Sequence, residues 1–252
     1  VSSAQVTVNY KSSLQNDLSG LTRDKGLKLK LYAIYNDGNI DRAIELNISL
    51  QDCACCGANV ASGVWKAFMC HNLGADETKD PFKPVKEIHG AMYQFGIGTE
   101  ALSQADNLSN SGAVPGWNNP IPGNSEWNMV TQNPCLPGWR VPTLAEWQSV
   151  IDYNTIYYTA DGGTSWSASA PTWSNGEEDN GIKFGDALVL PTAGVRNNGD
   201  GSLLSRGAQG YYWSSTNSGS SGRPLIFSSG FYSTTLLNPA RSYGYSVRCV
   251  AE

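Results

Sequence analysis

The sequence predicts a loop-rich α+β protein in which a small β unit, residues 1–52, precedes a main domain, residues 53–252. Three observations point there. Apolar and polar residues alternate along much of the first fifty positions. A helix-start motif near residue 143 introduces an amphipathic segment. The rest consists of short apolar runs separated by Gly, Pro and Asn.

In the first unit, Val6, Val8 and Tyr10 alternate with polar residues, and Leu27, Leu29, Leu31, Ala33 and Tyr35 do the same. The turn Asn36-Asp37-Gly38 follows, and Ile44, Leu46, Ile48 and Leu50 then alternate with Glu45, Asn47 and Ser49. Period-two patterning around Asp-Gly is a hairpin signal. Three strands bury one face poorly. The unit therefore reads as the closing part of an immunoglobulin-like or pilin-like sandwich truncated upstream, or as a β appendage packed on the main domain.

From Val64 onward the texture changes, with all eight tryptophans lying between Trp65 and Trp213. Thr143-Leu144-Ala145-Glu146 is a capping box, and Pro142 stops a helix extending backwards. Leu144, Trp147, Val150 and Ile151 then share one helical face. A strand is expected over 245–250.

Composition excludes several functions. Only 15% of residues are charged, against about 25% in typical domains. The net charge is −5 and no basic stripe exists, which argues against a nucleic-acid partner. No run approaches the roughly 20 apolar residues of a membrane span. An even count of six cysteines suggests an oxidising compartment. No secretory leader precedes Val1, so export implies that it was removed or lies upstream.

The cluster Cys53-x-Cys55-Cys56 with Cys70-His71 offers soft metal ligands, but zinc sites generally use two paired knuckles. Disulfides at the domain junction explain the same residues. Neighbouring Cys55 and Cys56 are poorly placed to bond one another. One of them reaches Cys70 and the other Cys53, or one pair stays reduced. Cys135 and Cys249 are left for each other.

A nucleophile with its base is not evident. The only histidines are His71 and His89, both of which read as structural or surface residues, and no G-x-S-x-G elbow occurs. Glu177-Glu178-Asp179-Asn180 offers oxygen ligands for Ca²⁺, although a solvated turn accounts for it as well. Asn197-Asn198-Gly199-Asp200-Gly201 reads as a turn. Gly96-Ile97-Gly98 lacks the third glycine of a nucleotide site.

Several blocks carry a family resemblance. They are Trp65 with Asn72-Leu73, then Cys135-Leu136-Pro137-Gly138-Trp139-Arg140-Val141-Pro142-Thr143 with Glu146-Trp147, and Leu190-Pro191-Thr192-Ala193-Gly194-Val195-Arg196. Gly210-Tyr211-Tyr212-Trp213-Ser214-Ser215-Thr216 and Gly244-Tyr245-Ser246-Val247-Arg248-Cys249 complete the set. In these the main domain resembles a group of bacterial surface proteins known as the major paralogous domain (FISUMP) family. The first fifty residues and the CACC junction lie outside the pattern.

The resemblance implies a C-type-lectin-like fold of the kind shared with formylglycine-generating enzymes. It also implies a bacterial outer-surface setting, as a lipoprotein whose lipid anchor would lie upstream or as a pilus-associated adhesin. The enzyme branch of that fold uses a close pair of reactive, copper-binding cysteines, and a bonded Cys135–Cys249 would leave no such pair in the C-terminal core. Some proteins of the fold are variable targets of diversity-generating retroelements, whose fully rewritten AAC-type codons cannot encode Lys, Glu, Gln, Met or Trp. Residues 214–247 contain none of the five.

Contact with a partner is expected over the overlapping stretch Tyr211 to Tyr245. Tyr212, Phe227, Phe231, Tyr232 and Tyr243 supply rigid contact area, and Asn217, Ser218, Ser220 and Asn238 supply adaptable hydrogen bonds, a mixture like that of an antibody paratope. Arg223 and Arg241 add planar, bidentate donors, while Trp213 and Tyr245 read as core. The first expectation is therefore a cell-surface adhesin that needs no cofactor and binds a protein or glycan on another cell or on a phage or host surface. A pilus or surface-layer subunit assembled through the N-terminal unit is the second, and a formylglycine-generating type of oxidase the third.

Overall fold

A computed structural model describes residues 27–36, 38–50, 56–118, 120–123 and 125–252. The N-terminal hairpin pairs β1 (Leu27–Asn36) with β2 (Asp41–Leu50) in antiparallel register, from Leu27 opposite Leu50 to Asn36 opposite Asp41. Asn36 shapes the turn: its Oδ1 accepts from the Gly38 N–H at 2.7 Å and its Nδ2 donates to Asp41 at 2.8 Å. Gly38 takes φ +99°, a conformation L side chains rarely adopt. The hairpin expected around this turn is present. The strand expected at Val6–Tyr10 lies outside the described residues.

The main domain continues with β3 (Gly57–Ala61), β4 (Val64–Ala67), α1 (Gln104–Ser109), β5 (Trp139–Arg140), α2 (Leu144–Tyr153), β6 (Ile156–Thr159), β7 (Gly181–Phe184) and β8 (Leu188–Pro191). After these come β9 (Val195–Arg196), β10 (Leu203–Leu204), β11 (Gln209–Ser218), β12 (Ser221–Ser228), β13 (Phe231–Ser233) and β14 (Val250–Ala251). The sheets are small and antiparallel: β6-β7-β8 and β11-β12-β13 have three strands, and the others are pairs.

Strand accounts for 34% of the chain and helix for 9%, which corrects the expected α+β, C-type-lectin-like class. The described part of the N-terminal unit is a two-stranded hairpin, and the rest of the expected sandwich-like unit lies outside the described residues. The reason for the low helix content is local. Only the Thr143–Tyr153 segment combines a cap, helical periodicity and enough uninterrupted length, while Gly and Pro elsewhere limit most elements to a few residues. The strand expected over 245–250 is also shorter than predicted. Tyr245 and Ser246 form isolated bridges, and only Val250–Ala251 pairs, with Trp139–Arg140.

Helix α2 forms as its sequence dictates. Thr143 Oγ1 accepts from the Glu146 N–H, and the Glu146 carboxylate accepts from the Thr143 N–H at 2.8 Å. Arg140 grips the same carboxylate through two bonds of 2.8 and 2.7 Å, and Lys66 reaches it from β4 at 2.9 Å. Trp147 and Val150 point inward and are fully buried, each contributing about 1.5–3 kcal/mol of hydrophobic stabilisation. Trp147 stacks on Phe68 and donates its indole N–H to the Trp213 carbonyl.

Strand β11 serves both main core clusters. Tyr212 belongs to the cluster of Trp147, Phe184, Leu190, Leu225 and Phe227, whereas Trp213 belongs to that of Phe95, Trp127, Val141, Tyr245 and Cys249. Period-two alternation sends neighbouring aromatics to opposite faces, and here both faces are covered. Gly210 is required by the same packing: a Cβ there would sit 2.1 Å from the Phe227 ring.

Two disulfides close the main domain, Cys56–Cys70 and Cys135–Cys249, separated by 14 and 114 residues. Of the pairings left open at the junction, Cys56 is the partner of Cys70; Cys53 and Cys55 lie outside the described residues. The long bridge anchors the turn before β5 to the chain entering β14. Two disulfides suggest an extracellular or periplasmic protein. Among the described residues, no helix is long and apolar enough to cross a membrane.

Candidate functional site

An aromatic row runs outward from the core along one face of β11. It starts at Trp213, which lies 4.2 Å from Tyr245 between ring centroids. Tyr245 then contacts Tyr211 at 5.0 Å and Tyr243 at 5.8 Å. Trp213 and Tyr245 are buried, as expected, while Tyr211 and Tyr243 are half-exposed. Together Tyr211, Tyr243 and Tyr245 line a cleft of about 250 Å³, completed by Val195, Leu204, Leu237 and Pro239, with Ser205 and Asn238 as its polar side chains.

Among the described residues, no lysine, arginine, histidine or carboxylate lines this cleft. Burial pushes the Tyr211 and Tyr245 phenols up, so both stay protonated donors at physiological pH. The Tyr211 hydroxyl donates to Gln209 Oε1 at 2.6 Å, which fixes its ring. Ser205 has φ +57°, the one non-glycine with positive φ among the described residues. Strain of this kind costs about 1–3 kcal/mol and clusters at functional sites.

The residues expected to contact a partner do not form one surface. Tyr212 is fully buried; its hydroxyl donates to the Pro191 carbonyl at 2.9 Å and accepts from Asn72 Nδ2 at 3.0 Å. Phe227 is fully buried as well, stacked 5.9 Å from Tyr212. Arg241 is 5% exposed, lies over the Phe95 ring at 4.7 Å and donates to the Ser125 carbonyl. These three are scaffold: Tyr212 and Phe227 belong to a hairpin whose core-facing side is covered, and Arg241 is buried against the Phe95 ring.

Asn217, Ser218 and Ser220 sit at the tip of the β11–β12 hairpin, around Gly219. This tip is tied to the cleft wall, since Ser221 bridges Ala240 and the Gly222 N–H donates to the Pro239 carbonyl at 3.1 Å. Arg223 is half-buried just inside the tip. Asn238 and Tyr243 line the cleft itself. Phe231 and Tyr232 are exposed on the edge strand β13, which pairs with the opposite end of β12. The C-terminal stretch thus carries two separate exposed regions.

The stretch expected to bind, 211–245, contains Tyr211, Leu237 and Pro239 without singling them out, and sequence reasoning missed Leu204 and Ser205. Only the alternation along β11 separated Tyr211 from Tyr212, and it could not show which face has an opening. It also missed the buried role of Arg248, whose guanidinium donates to Asn72 Oδ1 and to the Met69 and Cys70 carbonyls. Burial lowers the Arg248 pKa to about 10.

The remaining candidates have structural employment. Glu177 accepts from the Ser174 N–H at 2.9 Å and from Asn180 Nδ2 at 3.3 Å, while Glu178 faces Arg206 at 3.6 Å and Lys86 at 3.9 Å. They border a larger polar hollow of about 560 Å³, but their carboxylates engage protein donors in different directions. Among the described residues, no group of three His, Cys, Asp or Glu side chains is placed to hold a metal ion. His71 Nε2 lies 2.9 Å from the Lys79 carbonyl. His89 is fully buried against the Glu178 carbonyl, and that burial, reinforced by the charge of Arg206, lowers its pKa to about 3.

Residues 170–250 match the family model of a domain of unknown function, DUF8237. The DUF8237 match includes β7 to β13 and every described residue that lines the tyrosine cleft. No curated protein and no solved structure matches the chain.

Proposed function

We propose that this protein is an exported, non-enzymatic binding protein, an adhesin that recognises a protein or glycan through its C-terminal strand-and-loop surface. The uncharged, tyrosine-lined cleft carries the reading. Rigid amphipathic rings give contact area at low entropic cost, and binding pockets are mostly apolar with a few placed polar groups. Phe231, Tyr232, Leu236 and Leu237, all at least 38% exposed, add apolar surface within the same stretch. The resemblance to the major paralogous domain group supports a bacterial outer-surface setting, independently of the fold that resemblance implied.

Oxidase chemistry on a cysteine pair is disfavoured, because the four described cysteines are bonded to one another. Retroelement diversification draws less support than composition suggested. Residues 214–247 include Leu225, Ile226, Phe227, Tyr245 and Val247 in the core, and burial accounts for part of the missing Lys, Glu and Gln. A second reading, an assembling surface subunit, draws on the N-terminal hairpin, where Ile34, Ile44 and Leu46 are at least 56% exposed.

The test compares capture of immobilised host-surface proteins and glycans by the wild type, by Leu237→Ala/Tyr243→Ala and by Phe231→Ala/Tyr232→Ala, with circular dichroism to confirm folding. The first double variant should lose binding. If both variants bind undiminished, the C-terminal surface is the wrong one. A chain that self-associates and captures nothing favours the second reading.

A further inference from the structure

We infer that the tyrosine cleft receives one uncharged pyranose ring, the terminal sugar of a glycan, with the apolar face of the sugar laid on Tyr243 and Tyr211. The inference rests on the binding reading above and narrows its ligand.

Four features select this chemistry. Three aromatic rings form one connected row whose inner member, Tyr245, is 1% exposed, so the two outer rings are held in place before any ligand arrives. An aromatic face suits the C–H-rich face of a sugar as it suits an aliphatic chain. Among the described residues, the lining holds no ionic side chain. A phosphate, a sialic-acid carboxylate or a charged peptide side chain would therefore lose water without gaining a counter-charge.

Size is the third feature. About 250 Å³ falls below the roughly 300–1,000 Å³ typical of sites for larger small molecules, and a compact ring fits where a folded-in peptide does not. The fourth is unspent hydrogen-bonding capacity. Among the described residues, the Ser205 hydroxyl, the Asn238 amide and the Tyr243 hydroxyl make no side-chain hydrogen bond within the protein. An apolar ligand would leave these groups unanswered, whereas a ring carrying hydroxyls on its edge satisfies them.

The experiment is a titration of the ¹⁵N-labelled protein with methyl glucoside, methyl galactoside, methyl mannoside and N-acetylglucosamine, followed by amide shifts and saturation transfer. Glucuronate and N-acetylneuraminate serve as charged controls. At least one neutral sugar should bind with millimolar affinity and shift the amides of Ser205, Tyr211 and Asn238. Tyr243→Ala should weaken that binding about tenfold, and Tyr243→Phe should preserve most of it. Charged sugars binding as well as neutral ones, or shifts confined to the rest of the surface, overturn the inference. So does silence from all four neutral sugars. If a proline-rich peptide or a deglycosylated partner instead shifts the cleft and needs Tyr243, the sugar assignment falls and the binding reading stands. If every ligand the protein captures ignores the cleft, both fall.

Discussion

Replacing Glu146 by glutamine keeps the shape of the α2 cap and removes its charge. The Glu146 side chain is 16% exposed and receives Arg140 through two bonds, Lys66 through one and the Thr143 N–H through another. Burial alone would raise its pKa, but these donors outweigh it and bring the value from an ordinary 4.5 down to about 2. A carboxylate depressed that far favours the folded state by about 3 kcal/mol at neutral pH. A helix cap by itself accounts for about 1 kcal/mol, and an exposed ion pair for about 1 or less. The sign follows from the depressed folded value. The contribution is complete above pH 4.5, shrinks to below half by about pH 3 and is lost as the pH falls through about 2. Urea denaturation of wild type and Glu146→Gln at pH 7 and pH 3 measures it as a difference, so other titrating groups largely cancel. A gap under about 1 kcal/mol at pH 7, or one of the same size at both pH values, would refute the reasoning.

Two further outcomes are expected. His89, held neutral by burial with a pKa of about 3, confers stability that is complete above an ordinary 6.5 and declines by about 1.4 kcal/mol per pH unit as the pH drops towards 3. His89→Gln should flatten that part of the stability–pH profile, and an unchanged slope would assign it to other groups. Removing the Cys135–Cys249 bridge with paired alanines should cost about 4–5 kcal/mol, against about 3 for Cys56–Cys70, because the longer bridge restrains more of the unfolded chain. Chemical denaturation of the two double variants gives the order. The reverse order would mean that native-state effects outweigh loop length.

Local features were legible in the chain. The Thr143–Glu146 capping box, the hairpin around Gly38 and the burial of Trp213 and Tyr245 each follow from a few neighbouring residues whose chemistry allows few alternatives. The Cys135–Cys249 pairing followed from elimination among six cysteines. The fold class did not follow, because short segments between Gly and Pro take their secondary structure from whatever they pack against.

The binding residues show the same division. Sequence by itself marked the C-terminal stretch as rich in Tyr, Phe, Ser and Asn, and that composition is a property of the chain alone. Only the tertiary structure decided which of those side chains face outward. Tyr211 and Tyr212 are adjacent and chemically identical, yet one lines an open cleft and the other lies between Trp147 and Phe227. A strand sends neighbours to opposite faces, and what covers each face is brought from elsewhere in the chain: α2 and the end of β8 on one side, residues 237–245 on the other.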